Sequence, residues 1–167
     1  MKKFAALLAA VLFLFAGCAG GSRAMPEDFA FSVGVTTEGR TVEYHSEGNL
    51  LVKKNTAGES EEMHTAELIL SDSELKTAWD LFSMMKLKKY PDAPNLYDPG
   101  TPAVEPVSNI KLWMRADGEE KMIFAEGVSM KGKASSADGI AFMNTVKILL
   151  DLVTVTEEYR AMPDWEN

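Results

Sequence analysis

The chain has few of the side chains that carry nucleophilic and metal chemistry. Its 167 residues include one cysteine, Cys18, and two histidines, His45 and His64. A single cysteine excludes an internal disulfide and a Cys-x-x-Cys redox pair. The histidines lie on separate predicted strands and match no zinc-binding spacing, and no Gly-x-Ser-x-Gly element offers a nucleophilic serine. The sequence therefore predicts a protein that is not an enzyme and that uses neither a metal nor a cofactor.

Positive charge is also scarce. The chain has 17 Lys and Arg against 25 Asp and Glu, which gives a formal net charge of −8. Loss of the two cations Lys2 and Lys3 with an N-terminal leader lowers this charge by two more, to −10. An acidic surface repels nucleic-acid phosphates and anionic lipid headgroups. Nucleic acid is therefore not an expected partner.

Long apolar runs are missing beyond the N-terminus. Lys2 and Lys3 precede residues 4–16, which are all apolar. A helix of that length spans about 20 Å, less than the roughly 30 Å hydrocarbon core of a bilayer. The run therefore predicts an export signal peptide, not a transmembrane helix.

The stretch FAGC, which ends at Cys18, resembles the lipobox of bacterial lipoproteins, with Phe15 where leucine is commonest. The resemblance implies removal of a signal peptide of residues 1–17 and attachment of fatty acyl chains such as palmitate to Cys18. Two or more acyl chains anchor a protein stably to a membrane. Ala19 is not the aspartate that retains lipoproteins at an inner membrane, which implies the periplasmic side of the outer membrane. The alternative is a secreted protein with an incidental cysteine.

The mature chain divides into a tether and a domain. Residues 18–28 contain the lipidated cysteine and a small, polar stretch broken by Pro26, which predicts a flexible tether. Residues 29–167 are enough for a single domain with its own core.

Alternating apolar residues predict six strands. In the first strand Phe29, Phe31, Val33 and Val35 share one face. Asp117 and Gly118 predict the tight turn of a hairpin. The strands are expected over residues 29–37, 41–46, 50–54, a segment marked by Ala66, Leu68 and Leu70, 107–115 and 120–126.

Two helices complete the predicted fold. Ser71 and Glu74 form a capping box, and the helix they begin is expected to end near Lys88. The final helix is expected to begin at an N-cap on Asp138. Five of the seven prolines lie in residues 90–106, which excludes regular structure there. The order ββββα-ββα predicts an α+β fold, an antiparallel sheet with two helices on one face.

Two motif-like stretches favour ordinary loops. Residues 127–134, GVSMKGKA, follow the spacing of a phosphate-binding loop, but Ala134 occupies the position that needs a Ser or Thr hydroxyl. Asp92, Asn95 and Asp98 are three residues apart, unlike the alternate ligands of a calcium loop. Asx turns beside prolines account for these three side chains.

The strongest candidate site is the stripe Lys111, Trp113 and Arg115. These residues alternate with Ile110, Leu112 and Met114, so they lie on the sheet face opposite the core. Trp and Arg are enriched at binding hot spots, so the stripe predicts a partner-binding patch. The alternative is that the C-terminal tail, through Tyr159 or Trp165, covers Trp113.

The predicted elements follow a definite order. The first strands are followed by the helical segment LILSDSELKTAWDLFSMMKLKKYPD, then by the hairpin NIKLWMRADGEEKMIFAEG, and then by a last helix. This order of elements, over roughly residues 29–153, resembles that of emfourin-type inhibitors of thermolysin-like proteases. The resemblance implies an α+β fold and inhibition of an exported protease. It rests on element order, so no inhibitory residue is assigned from it.

Together these features predict a lipid-anchored protein of the bacterial cell envelope. We expect a non-enzymatic module that binds another envelope protein. One alternative is an inhibitor of an exported hydrolase, with residues 90–106 as the inserted segment, because prolines lower the entropy lost on docking. The other is a small-ligand carrier with a pocket between the helices and the sheet.

Overall fold

The computed structural model of the chain describes residues 24–58, 61–86, 89–97, 105–130 and 134–165. These residues form six antiparallel strands and three helices, which confirms the predicted α+β fold. The elements are β1 (Ala30–Thr37), β2 (Arg40–His45), β3 (Leu50–Asn55), β4 (Glu62–Glu67), α1 (Asp72–Met84), β5 (Val107–Ala116), β6 (Glu119–Ser129), α2 (Ala137–Thr154) and α3 (Glu157–Ala161).

The strands are ordered β4-β3-β2-β1-β5-β6 in one sheet. The strands β1 to β4 follow one another as hairpins, and β5 returns to pair with the other side of β1. Strand β1 therefore joins the two halves of the chain and lies near the middle of the sheet.

One face of the sheet carries the core. Val33 and Leu112 stand opposite each other on β1 and β5, and both are fully buried. Around Phe31, the rings of Phe29, Tyr44 and Phe82 have centroids within 6 Å of it. Aromatic pairs at these separations add to the stability gained from area burial, so this cluster fixes α1 against the sheet.

The capping box at the start of α1 is confirmed. The Ser71 hydroxyl accepts from the Glu74 amide, and the Glu74 carboxylate accepts from the Ser71 amide at 2.8 Å. The expected end near Lys88 is wrong, because α1 ends at Met84. Lys86 then takes a positive φ of 51°, a left-handed conformation that stops the helix.

The start of α2 also differs from the expectation. Ser136, not Asp138, is the N-cap, and its hydroxyl accepts from the Gly139 amide at 2.8 Å. Asp138 instead lies in the first turn, where a carboxylate is favoured by the helix dipole. The short helix α3, capped by Thr156, is a third helix that the apolar pattern did not predict.

The hairpin turn at Asp117 and Gly118 is confirmed. Both residues have positive φ, 55° and 73°, as a tight type I′ turn requires. Their amides donate to the two carboxylate oxygens of Asp28, at 2.9 and 2.7 Å. Asp28 thus ties the start of β1 to the tip of the β5–β6 hairpin.

Candidate functional site: the open face of the sheet

We call the sheet face opposite the core the open face. Within the described residues all three helices lie on the core side, so the open face has no covering layer. Two rows of residues cross it in strand order. The first row is Glu67, Leu50, His45, Ser32, Trp113 and Met122. The second row is Thr65, Val52, Glu43, Gly34, Lys111 and Phe124.

The β5–β6 corner of the open face carries neighbouring exposed apolar side chains. Trp113 lies directly opposite Met122, and Lys111 lies opposite Phe124. Met122 and Phe124 are 49% and 45% exposed, while Trp113 is half-buried. We call Trp113, Met122 and Phe124 the aromatic corner. Contiguous exposed apolar side chains of this kind mark interaction sites in soluble domains.

Two further large apolar side chains, Leu50 and Met63, are exposed on the β3–β4 side of the same face. Lys54, Lys111 and Arg115 share the face with four carboxylates, Glu43, Glu67, Glu120 and Glu126. The open face therefore carries charges of both signs around its exposed apolar side chains.

The three residues of the predicted patch lie together, but they differ in their surroundings. The Trp113 indole N–H donates to Glu120 at 3.4 Å. Arg115 donates to Glu47 at 2.8 Å, and its guanidinium carbon lies 5.8 Å from the centroid of the Trp113 ring. The hydrogen bond and charge of Glu47 raise the pKa of Arg115. Arg115 is thus already neutralised by a carboxylate.

Lys111 is different from Arg115. It is exposed, and no hydrogen bond or ion pair engages it within the described residues. On the neighbouring strand β1, Lys111 lies opposite Gly34. The Glu43 side chain lies over this glycine, and its Cγ is 3.5 Å from the position that a Cβ on Gly34 would occupy. Lys111 is therefore the cation of the patch that remains available to a partner.

The C-terminal tail does not cover Trp113. Instead, the rings of Tyr159 and Trp165 lie over the Lys53 ammonium, with centroids 5.4 and 4.7 Å from its nitrogen. Lys53 is on the core side of β3 and also donates to the Pro163 carbonyl at 2.5 Å. The alternative that Tyr159 or Trp165 covers Trp113 is therefore wrong, because both rings pack on the opposite face of the sheet.

The described part of the proline-rich segment is attached to the domain. The Asp92 carbonyl accepts from the Phe124 amide at 2.8 Å, and its carboxylate pairs with Lys121. The Tyr97 hydroxyl accepts from the Ser129 amide at 2.9 Å. Residues 89–97 therefore form a strap along the outer side of β6. The remaining tip, residues 98–104, lies outside the described residues.

The other sequence candidates are dispersed. His45 lies on the open face, 3.2 Å from the Glu43 carboxylate, while His64 lies on the core side of β4. No group of three or more His, Cys, Asp or Glu could hold a metal ion in the part of the chain that the structure describes. Cys18, Asp98 and residues 131–133 of the glycine-lysine loop lie outside the described residues.

Two shallow clefts open on the described surface. One, beside the hairpin end, is lined by Asp28, Glu47, Arg115 and Leu75. The other lies between the end of α2 and the β1–β2 turn and is lined by Arg40, Leu150 and Trp165. Both are open to solvent, and neither gathers a set of acid, base and nucleophile side chains.

No protein-family model matches the chain, and no curated protein matches it. Of the helices in the described ranges, none has both the length and the apolar character needed to cross a bilayer. The open face is a surface that sequence and structure both single out. Sequence reasoning located its Lys111, Trp113 and Arg115 but missed Met122 and Phe124, whose alternation along β6 carried the same signal.

Proposed function

We propose that this protein is a lipoprotein of the bacterial envelope, anchored through acyl chains on Cys18, whose domain binds another envelope protein. The aromatic corner of the open face carries this proposal. Trp113, Met122 and Phe124 form an apolar patch with the exposed Lys111 beside it. Buried aromatic anchors surrounded by polar groups are the usual source of affinity at protein interfaces.

The same geometry favours a partner surface of a particular kind. Phe124 and Met122 each keep nearly half of their surface in solvent, which a partner would bury. The Lys111 ammonium needs an acceptor when it is desolvated. We therefore expect an apolar contact surface on the partner, with a carboxylate at its rim that reaches Lys111.

The anchor is tested by metabolic labelling with an alkyne fatty acid in the native bacterium. The wild-type chain should become labelled and remain in the membrane fraction. The Cys18→Ala variant should carry no label. Labelling of Cys18→Ala, or an unlabelled wild type, would contradict the lipoprotein assignment while leaving the open face untouched.

The binding surface is tested by crosslinking pulldown from native envelopes, with Trp113→Ala, Phe124→Ser, Lys111→Glu and Arg115→Glu. Matched controls are Ile140→Ser and Lys147→Glu, which change an exposed apolar side chain and an exposed cation on α2. The open-face variants should lose a partner that both controls retain. Unchanged partners in variants with a native circular dichroism spectrum would overturn the proposed surface.

A purified partner permits a quantitative version of the same test. Truncation of a hot-spot aromatic costs about 2 kcal/mol or more, which weakens binding about 30-fold. We expect a loss of this size for Trp113→Ala and a smaller one for Arg115→Glu, because Glu47 already engages Arg115.

A further inference from the structure

The two outer strands of the sheet differ in how their edges are covered. On β6, the Phe124 amide is bonded to the Asp92 carbonyl and the Ser129 amide to the Tyr97 hydroxyl. On β4, nothing within the described residues pairs with the outer edge. Uncovered edges of this kind are templates for an added strand.

The register identifies the free backbone groups of β4. Leu68 donates its amide to the Asn49 carbonyl at 2.8 Å, so these two residues form a hydrogen-bonded pair. Such pairs alternate along an antiparallel ladder. The amides and carbonyls of Met63, Thr65 and Glu67 therefore point away from β3, toward solvent. The side chains of these three residues are also exposed.

The charge around this edge is mostly negative. Glu62 and Glu67 lie at the two ends of β4. The short helix α3, which begins with the exposed Glu157 and Glu158 and has Arg160 in its last turn, packs beside the strand. The nearby Glu61 is paired with Lys54 at 2.6 Å, so the negative charge of the edge comes from the other carboxylates.

This charge selects among possible occupants. A second copy of the chain would place one acidic edge against another, and each copy carries a formal charge of −8. Like charges across paired strands destabilise the pairing, whereas opposite charges stabilise it. An extended segment with lysine or arginine among β-branched residues fits both the hydrogen-bonding groups and the charge.

We propose that the outer edge of β4 binds an extended basic segment of a partner protein as a seventh strand. The segment bonds to the backbone of Met63, Thr65 and Glu67, and its cations lie near Glu62 and Glu67. The proposal stands apart from the aromatic corner, at the other side of the sheet, and needs neither the lipid anchor nor the open-face partner.

The test is amide hydrogen exchange, followed by NMR on the full chain in detergent. The probe is the blocked peptide KVKVTVK, and its acidic counterpart EVEVTVE is the control. With the basic peptide, the amides of Met63, Thr65 and Glu67 should exchange roughly tenfold more slowly or better, because each enters a ladder bond. The amides of His64 and Ala66, which already face β3, should not change.

Two variants make the test specific. Thr65→Pro removes an amide that points outward, a position where an edge strand tolerates proline. It should keep the fold and abolish the protection, while Thr65→Val should retain it. Trp113→Ala should leave the response to the peptide unchanged, which separates this edge from the open face.

Four results would overturn the proposal. The first is no slowing at the three amides, and the second is equal slowing by the acidic peptide. The third is slowing that grows with protein concentration in the absence of peptide, which would identify a second copy as the occupant. The fourth is a peptide effect confined to the Trp113 indole and the Phe124 amide, which would place the peptide on the open face.

Discussion

Lys53 and Trp165 fasten the C-terminal tail to the sheet, with the Lys53 ammonium nitrogen 4.7 Å from the centroid of the Trp165 ring. Lys53 is only 3% exposed, and its described contacts are the rings of Trp165 and Tyr159 and the carbonyl of Pro163. A desolvated cation over two aromatic faces is stabilised more than an exposed one. This contact places the described part of the tail on the core side, away from Trp113.

Removal of the Trp165 ring should therefore destabilise the domain. Trp165→Ala is expected to lower the free energy of unfolding by about 1–2 kcal/mol, because it removes a cation–π contact and exposes the lysine. Trp165→Phe should recover part of the loss. Urea unfolding followed by far-ultraviolet circular dichroism measures both. Equal stability of Trp165→Ala and the wild type would contradict the role of the contact.

Asp28 should make the hairpin contact sensitive to acid. The amides of Gly118 and Asp117 lower the pKa of its carboxyl below 3.8. Because the pKa of Asp28 is lower in the folded state, its carboxylate stabilises the fold at pH values above the unfolded-state pKa. This stabilisation is lost as pH falls through the folded-state pKa. In an NMR titration, the Asp117 and Gly118 amides should shift together below pH 3.8. Asp28→Asn should abolish this shift, and Glu27→Gln should leave it in place.

Gly139→Ala should destabilise the protein, although alanine is the better helix former. A Cβ at Gly139 would stand 2.7 Å from the Leu96 carbonyl oxygen and 2.9 Å from the Leu96 Cα, so the strap approaches the helix too closely for a side chain. The control Asn144→Ala, at an exposed position of α2, should instead stabilise by a few tenths of a kcal/mol. Thermal unfolding distinguishes the two signs. A stabilised Gly139→Ala would show that the strap is not held against α2.

Alkaline unfolding should report the buried phenols. Burial raises the pKa of Tyr44 and of Tyr90 to about 12, from the ordinary value of 10.0. Because the folded-state pKa values are raised, the contribution of these two phenols to stability should be fully present below pH 10 and should be lost as pH rises through 12. The Tyr44→Phe and Tyr90→Phe double variant should show a shallower fall in urea midpoint over that range. Parallel profiles would contradict the assignment.

The sequence was informative where a signal is local. Alternation in β1, the Asp-Gly turn and the Ser71–Glu74 capping box each depend on residues within one element, and all three are confirmed. The end of α1 was predicted wrongly because the residue that takes the left-handed conformation there is Lys86, not the glycine or asparagine that usually marks such an end. The strand predicted around Ala66, Leu68 and Leu70 was placed too late in the chain, because β4 covers Glu62–Glu67. Leu68 and Leu70 are buried after the end of the strand, so their burial did not indicate strand structure.

The rest depended on contacts between distant parts of the chain. The pairing of β1 with β5 places Ser32 beside Trp113 and so assembles the open face from both halves of the sequence. The tail could not be placed from its own residues, because Lys53 has no feature that distinguishes it from a surface lysine until β3 pairs with its neighbours. For the same reason, Glu47 was not recognised as the partner of Arg115.

The binding role of the open face can be tested most directly by photo-crosslinking in living cells. Phe124→p-benzoylphenylalanine places a crosslinker in the aromatic corner, and Ile140→p-benzoylphenylalanine places one on α2 at similar exposure, 47% against 45%. We expect a single envelope protein to be crosslinked from position 124, to be lost on adding Trp113→Ala, and not to appear from position 140. No adduct at 124, or the same adducts from both positions, would contradict the proposal.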